Sequence, residues 1–118
     1  MLRELTDSAQ VYIVTGYTDL RHGIDGLAAL VSGRLSLNLY DRSLFLFCGR
    51  RCDRIKGLVW DGDGFLLLYK RLEDGRFQWP RNATEVINMS PQQYKWLMEG
   101  LSIHQKRYVK EVYAKQIV

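Results

Sequence analysis

Long apolar runs are missing from this 118-residue chain. A membrane helix needs about 20 consecutive apolar residues. The longest tight run here, Phe65-Leu66-Leu67-Leu68-Tyr69, is the size of one strand. No membrane partner is expected. The first residues, Met1-Leu2-Arg3-Glu4-Leu5, lack the apolar centre of a secretion signal, so the expected location is cytoplasmic. Cysteine is nearly absent. Cys48 and Cys52 alone make no disulfide framework, and they fall short of the four ligands of a structural zinc site. His22 and His104 stand apart from each other and from both cysteines. No metal site and no cofactor are expected. Proline is equally scarce, at Pro80 and Pro91 only, and no linker, repeat or low-complexity stretch divides the chain. The length suits one domain spanning residues 1–118. Its globular body is expected at about 11–103, with residues 104–118 as a C-terminal helix or a mobile tail.

What the chain does hold is an ordinary core fraction, 47% hydrophobic against 25% charged residues, which excludes disorder along its whole length. The pattern predicts an α+β fold: an antiparallel β-meander of about five strands, with two or three helices packed on one face. Val11–Val14 reads as a β-branched strand. A helix follows, capped by Thr18 or Asp19, with Leu20, Ile24, Leu27, Ala28 and Val31 in one apolar stripe and Gly33 at its end. Gly23 and Gly26 fall inside that helix and cost about 1 kcal/mol each relative to Ala. Either the helix packs closely on the sheet there, or its backbone is left bare for a partner or a phosphate. Four strands are expected between residues 44 and 79: Leu44–Cys48, Arg54–Trp60, Phe65–Leu72 and Arg76–Trp79. Asp61-Gly62-Asp63-Gly64 and Glu73-Asp74-Gly75 provide the turns. Ser90 and Pro91 open another helix.

Catalytic constellations are absent from this pattern. Neither histidine has a nucleophile signature beside it. Asp61 and Asp63 are more simply turn residues, and Lys70 is several strand steps away from them. The chain is read as a non-enzyme. Its charge is informative instead. Seventeen basic and thirteen acidic residues give a net charge of +4. The excess is confined to residues 50–81, net +3, and 104–118, net +3, while 1–49 and 82–103 are each net −1. Eleven of the basic residues are arginine, the side chain that forks onto phosphates. Arg50, Arg51, Arg54, Lys56, Lys70, Arg71, Arg76 and Arg81 are expected to gather near strand ends as a DNA-binding patch. Alternation puts Arg54, Lys56, Leu58 and Trp60 on one face of their strand. Trp60, Phe77 and Trp79 are read as core side chains rather than base-stacking ones.

The ordered blocks carry a resemblance. Val11–Val14, followed by Thr18-Asp19-Leu20-Arg21 and Gly23-Ile24-Asp25-Gly26-Leu27, forms the first block. The second runs through Leu44-Phe45-Leu46-Phe47, Arg50-Arg51, Ile55-Lys56 and Trp60-Asp61-Gly62. Lys70-Arg71-Leu72-Glu73 with Gly75-Arg76-Phe77-Gln78-Trp79-Pro80 makes the third, and Ser90-Pro91-Gln92-Gln93 to Leu101 the fourth. Over residues 11–103 the chain resembles the TnpB-type accessory proteins encoded by the second reading frame of the sixty-six family of bacterial insertion sequences. These are distinct from the RNA-guided nucleases that share the label. The resemblance implies a role in DNA transposition beside a separate, element-encoded transposase that does the cutting. It implies DNA, as terminal repeats or nonspecifically, and the transposase as partners, and leaves a homo-oligomer open. The alternative reading is an adaptor that assembles the transposase complex without touching DNA. Its contact residues would be Arg21, Gly23 and Gly26 in the first helix region, and Tyr108 and Tyr113 in the tail. The tail departs from many relatives, whose ends are short and Arg-rich or disordered.

Overall fold

A computed structural model of the chain describes residues 10–82 and 85–105. Five strands and two helices follow one another as β1 (Val11–Val14), α1 (Ile24–Ala29), β2 (Leu44–Cys48), β3 (Arg54–Trp60), β4 (Phe65–Arg71), β5 (Val86–Met89) and α2 (Pro91–Met98). The strands form one sheet in the order β4-β3-β2-β1-β5. The fold is α+β, but the sheet is mixed rather than antiparallel throughout. β1 and β2 run parallel, with Val11 beside Leu44, because α1 returns the chain across the sheet between them. The other neighbours are antiparallel.

The helices do not share a face as the sequence suggests. α1 covers the face that carries Phe45, Phe47 and Leu58, with Leu27 and Val31 buried against it. α2 covers the opposite face, where Leu97 meets Ile13, Leu46 and Ile55. A strand covered on both sides has no polar row, and all five residues of β2 are buried. Phe45 and Phe47 are among the largest fully buried side chains, each contributing roughly 1.5–3 kcal/mol of burial.

The fourth meander strand expected at Arg76–Trp79 is not a strand. Its alternation is real, with Phe77 and Trp79 buried and Gln78 exposed. The segment lies over the α2 face instead of adding to the sheet. Phe77 N donates to Cys52 O at 2.7 Å, and Trp79 Nε1 donates to Val14 O at 2.9 Å. The fifth strand is β5, which the sequence reading missed. It pairs with β1 in register Val11–Met89.

Neither Thr18 nor Asp19 caps α1. Gly23 stands at the N-cap without a side-chain bond, so its missing Cβ costs the helix interior nothing. Gly26 has a local reason: a Cβ there would lie 2.6 Å from His22 Nδ1. The helix also ends before Gly33, widening after Ala29 into a π-type turn at Leu30–Arg34. α2 matches expectation. Ser90 Oγ accepts from Gln93 N at 3.1 Å, Gln93 Oε1 accepts from Ser90 N at 3.0 Å, and Pro91 takes the first helical position. The third helix expected over 104–118 lies almost wholly outside the described residues, and His104 and Gln105 are not helical. No helix among the described residues is long and apolar enough to cross a membrane.

Candidate nucleic-acid interface

The strand directions bring one end of the sheet together. β1 and β2 end there, β3 begins there, and β4 ends there. The loops at this end are residues 15–23, 49–53 and 72–82. They are stitched by backbone bonds: Thr18 N to Cys48 O at 2.9 Å, Leu72 N to Asp53 O at 2.7 Å, and Gly16 N to Pro80 O at 2.8 Å. Arg50 and Arg51 occupy the β2–β3 turn, closed by Cys52 N donating to Gly49 O at 3.0 Å. Arg54 opens β3, Lys70 and Arg71 close β4, Arg76 precedes Phe77 beside that turn, and Arg81 follows Pro80. Lys56, two residues into β3 and opposite Tyr69, is the innermost of the eight residues of the predicted patch, and the other seven lie at this end of the sheet. The outer side of a pair of parallel strands' carboxyl ends is also where sheets containing a β-α-β unit commonly place ligand sites.

Three arginines here are held by carboxylates. Arg54 Nε lies 3.0 Å from Asp53 Oδ1, and Arg71 Nη2 lies 3.1 Å from Glu73 Oε1. Arg21 Nη2 lies 2.6 Å from Asp19 Oδ2, with both groups on the surface. The Arg21 guanidinium holds the Asp19 carboxyl well below the usual carboxylate range, and Arg54 lowers that of Asp53, in both cases chiefly by hydrogen bonding. Arg50, Arg51, Lys70, Arg76 and Arg81 form no ion pair with any described residue and are exposed.

Register adds a detail absent from sequence. Arg54 sits directly opposite Arg71, and Lys56 opposite Tyr69. All four project to the α1 side, as the alternation along β3 predicts. Like charges opposite one another destabilise a ladder, and here Asp53 and Glu73 each offset one of the two. Lys56 Nζ donates to His22 O at 2.9 Å and lies 5.8 Å from the Tyr69 ring centre. Lys56 thus ties the loop before α1 to the sheet. Tyr69 is 57% exposed, and its place among these cations went unmarked because its strand reads as apolar. Trp79 and Phe77 are core side chains, as expected, while Trp60 is half-buried at the far end of β3.

Of the residues set aside for protein contact, one is not separate from this end. Arg21 lies in the same loop cluster. Gly23 leaves open space where a side chain would stand, whereas Gly26 is covered by His22. Tyr108 and Tyr113 lie outside the described residues.

Comparison with known proteins gives a consistent family. A family model described as IS66 Orf2 like protein matches residues 9–108. The uncharacterized protein y4jC of Sinorhizobium fredii is 37% identical over 92 residues, covering 78% of this chain and 79% of that one. The uncharacterized protein y4hO of the same organism is 42% identical over 94 residues, covering 80% and 82%. No solved structure matches the chain.

Proposed function

The chain belongs to the IS66 Orf2-like family, and from that premise we propose that this insertion-sequence accessory protein supports transposition by binding DNA through the basic end of its sheet. The observation that carries the reading is the convergence of Arg50, Arg51, Lys70, Arg76 and Arg81 on one end, exposed and in no ion pair with a described residue. Such side chains meet phosphate without first breaking an internal pair. Arg54 and Arg71 lie opposite one another between them. The protein itself cuts no strand in this reading, and an element-encoded transposase is its partner on the DNA.

The test is a titration of the purified chain against a labelled terminal-repeat duplex and a shuffled duplex, each at low and moderate salt. Binding that weakens steeply with salt is expected, because phosphate contacts release counterions. Preference for the repeat would identify site reading. Equal binding to both would identify a nonspecific clamp directed by the transposase. Absence of binding at low salt would sink the DNA reading and favour the adaptor alternative.

A further inference from the structure

We propose that β4 is the seam of a homodimer, in which two copies pair edge to edge, antiparallel, about a two-fold axis at Leu67. Among the described residues β4 ends the sheet on one side, and it is seven residues long. The opposite edge, β5, has four residues and runs at once into Ser90-Pro91. Long edges are normally blunted by proline, a bulge or a mid-strand charge. β4 has none of these. Its pairing with β3 is unbroken over seven residue pairs, and its charges, Lys70 and Arg71, come only at its end.

The backbone of β4 offers a regular set of bonding groups. Asp61 N donates to Gly64 O at 2.8 Å in the hairpin turn, and Leu72 N donates to Asp53 O at 2.7 Å beyond the other end. Both bonds belong to even-numbered β4-side residues. Alternation along an antiparallel ladder then directs the N–H and C=O groups of Leu66, Leu68 and Lys70 toward β3. Those of Phe65, Leu67, Tyr69 and Arg71 point outward.

The side chains select the occupant and the register. With Leu67 opposite its own copy, Phe65 stands opposite Tyr69, Leu66 opposite Leu68, and Asp63 opposite Arg71. Both ends of the seam then carry an opposite-charge pair and an aromatic pair, the combinations that stabilise cross-strand neighbours. A shift that centres Leu68 sets Asp63 against Glu73 and Phe65 against Arg71. A shift that centres Leu66 sets Asp63 against Tyr69. The strand is thus self-complementary in one register. Phe65 to Leu68 are only half-buried in a single copy, although all four are apolar, and Tyr69 is exposed. The second copy extends the sheet and covers these side chains on both faces. Asp63 is exposed in the hairpin turn, and among the described residues Arg71 is held only by the exposed Glu73, so both are accessible to a partner.

The experiment is sedimentation of the full chain, free of nucleic acid, over a wide concentration range. A reversible dimer is expected. Asp63→Lys and Arg71→Glu each set like charges opposite one another at both ends, and each should weaken association about tenfold. The double variant swaps the charges and should recover the native association. A monomer at every concentration overturns the proposal. So does a dimer that neither single variant weakens, which would place the contact on another surface, residues 106–118 included. Failure of the double variant to recover overturns the register. Amide exchange on the unaltered chain gives a second readout that does not depend on variant folding. The Leu67 and Tyr69 N–H groups should gain protection as concentration rises into the dimer range, and exchange independent of concentration would count against the seam.

Discussion

At the scale of single residues, two buried groups make sharp demands. Trp79 is buried and donates its only side-chain hydrogen bond to the Val14 carbonyl. Trp79→Phe keeps an aromatic ring but strands that carbonyl. Unfolding in urea should show a loss of roughly 1–3 kcal/mol. Cys48 is the other. Burial, then the neighbouring Cys52, pushes its thiol well above the ordinary value of 9.0. The neutral thiol is the form the fold accepts. Below about pH 9 both folded and unfolded chains keep the proton, and the contribution to stability is intact. Above it the unfolded chain ionises first, and stability is lost as pH rises toward the folded-state value. Thermal melts from pH 8 to 10 should therefore fall more steeply for the native chain than for Cys48→Ala. Equal slopes would show that Cys48 is not the group responsible. The same burial predicts slow alkylation of Cys48 until the chain is unfolded. A cysteine pair in sequence says nothing of this, because its reactivity depends on the strand and the turn packed around it.

At the scale of elements, legibility followed the strength of the local signal. Ser90-Pro91-Gln92-Gln93 announces a helix start through its own hydrogen bonds, and α2 starts there. Ser90→Ala removes one half of the capping box and should cost about 1 kcal/mol in unfolding free energy, a loss that Ser90→Asp should largely avoid. Leu44–Cys48 is equally plain as a continuous apolar run, and Arg54–Trp60 because the paired Asp-Gly steps of Asp61–Gly64 follow it as a hairpin turn. Phe77-Gln78-Trp79 misled for a physical reason. Alternation reports that two side chains face a core, and a segment lying over a sheet satisfies it as well as a strand within one. Val86–Met89 was missed because four residues at an edge carry little periodicity, and β1 supplies its partner from far away in sequence. The direction of β1 was likewise illegible, because parallel pairing is decided by where α1 carries the chain. Glycine was read by position when it needed surroundings. Gly26 is explained by the His22 ring and not by the sheet, whereas Gly57 on β3 does meet side chains on the sheet, with a Cβ position 3.1 Å from Leu44 Cδ1.

At the scale of the whole molecule, charge and topology combine into a prediction that neither makes alone. The basic residues of the candidate interface are spread over about 60 positions of chain, from Arg21 to Arg81. They are brought to one end of the sheet because the parallel pair β1–β2 and the antiparallel β3 and β4 all present the same end. Arg42 sits at the other end, its guanidinium 2.8 Å from where a Cβ on Gly62 would lie. The two ends can therefore be compared within one protein. Each phosphate contact adds about 0.9 to the slope of log affinity against log salt on duplex DNA. Arg50→Ala combined with Arg51→Ala should lower the slope by nearly two, by about 0.9 for each lost contact. Arg42→Ala changes the net charge but removes no contact, so it should leave the slope where it was. If Arg42→Ala lowered the slope as much per residue as the turn arginines do, binding would follow net charge rather than the surface. The basic end of the sheet would then lose its claim to be the interface.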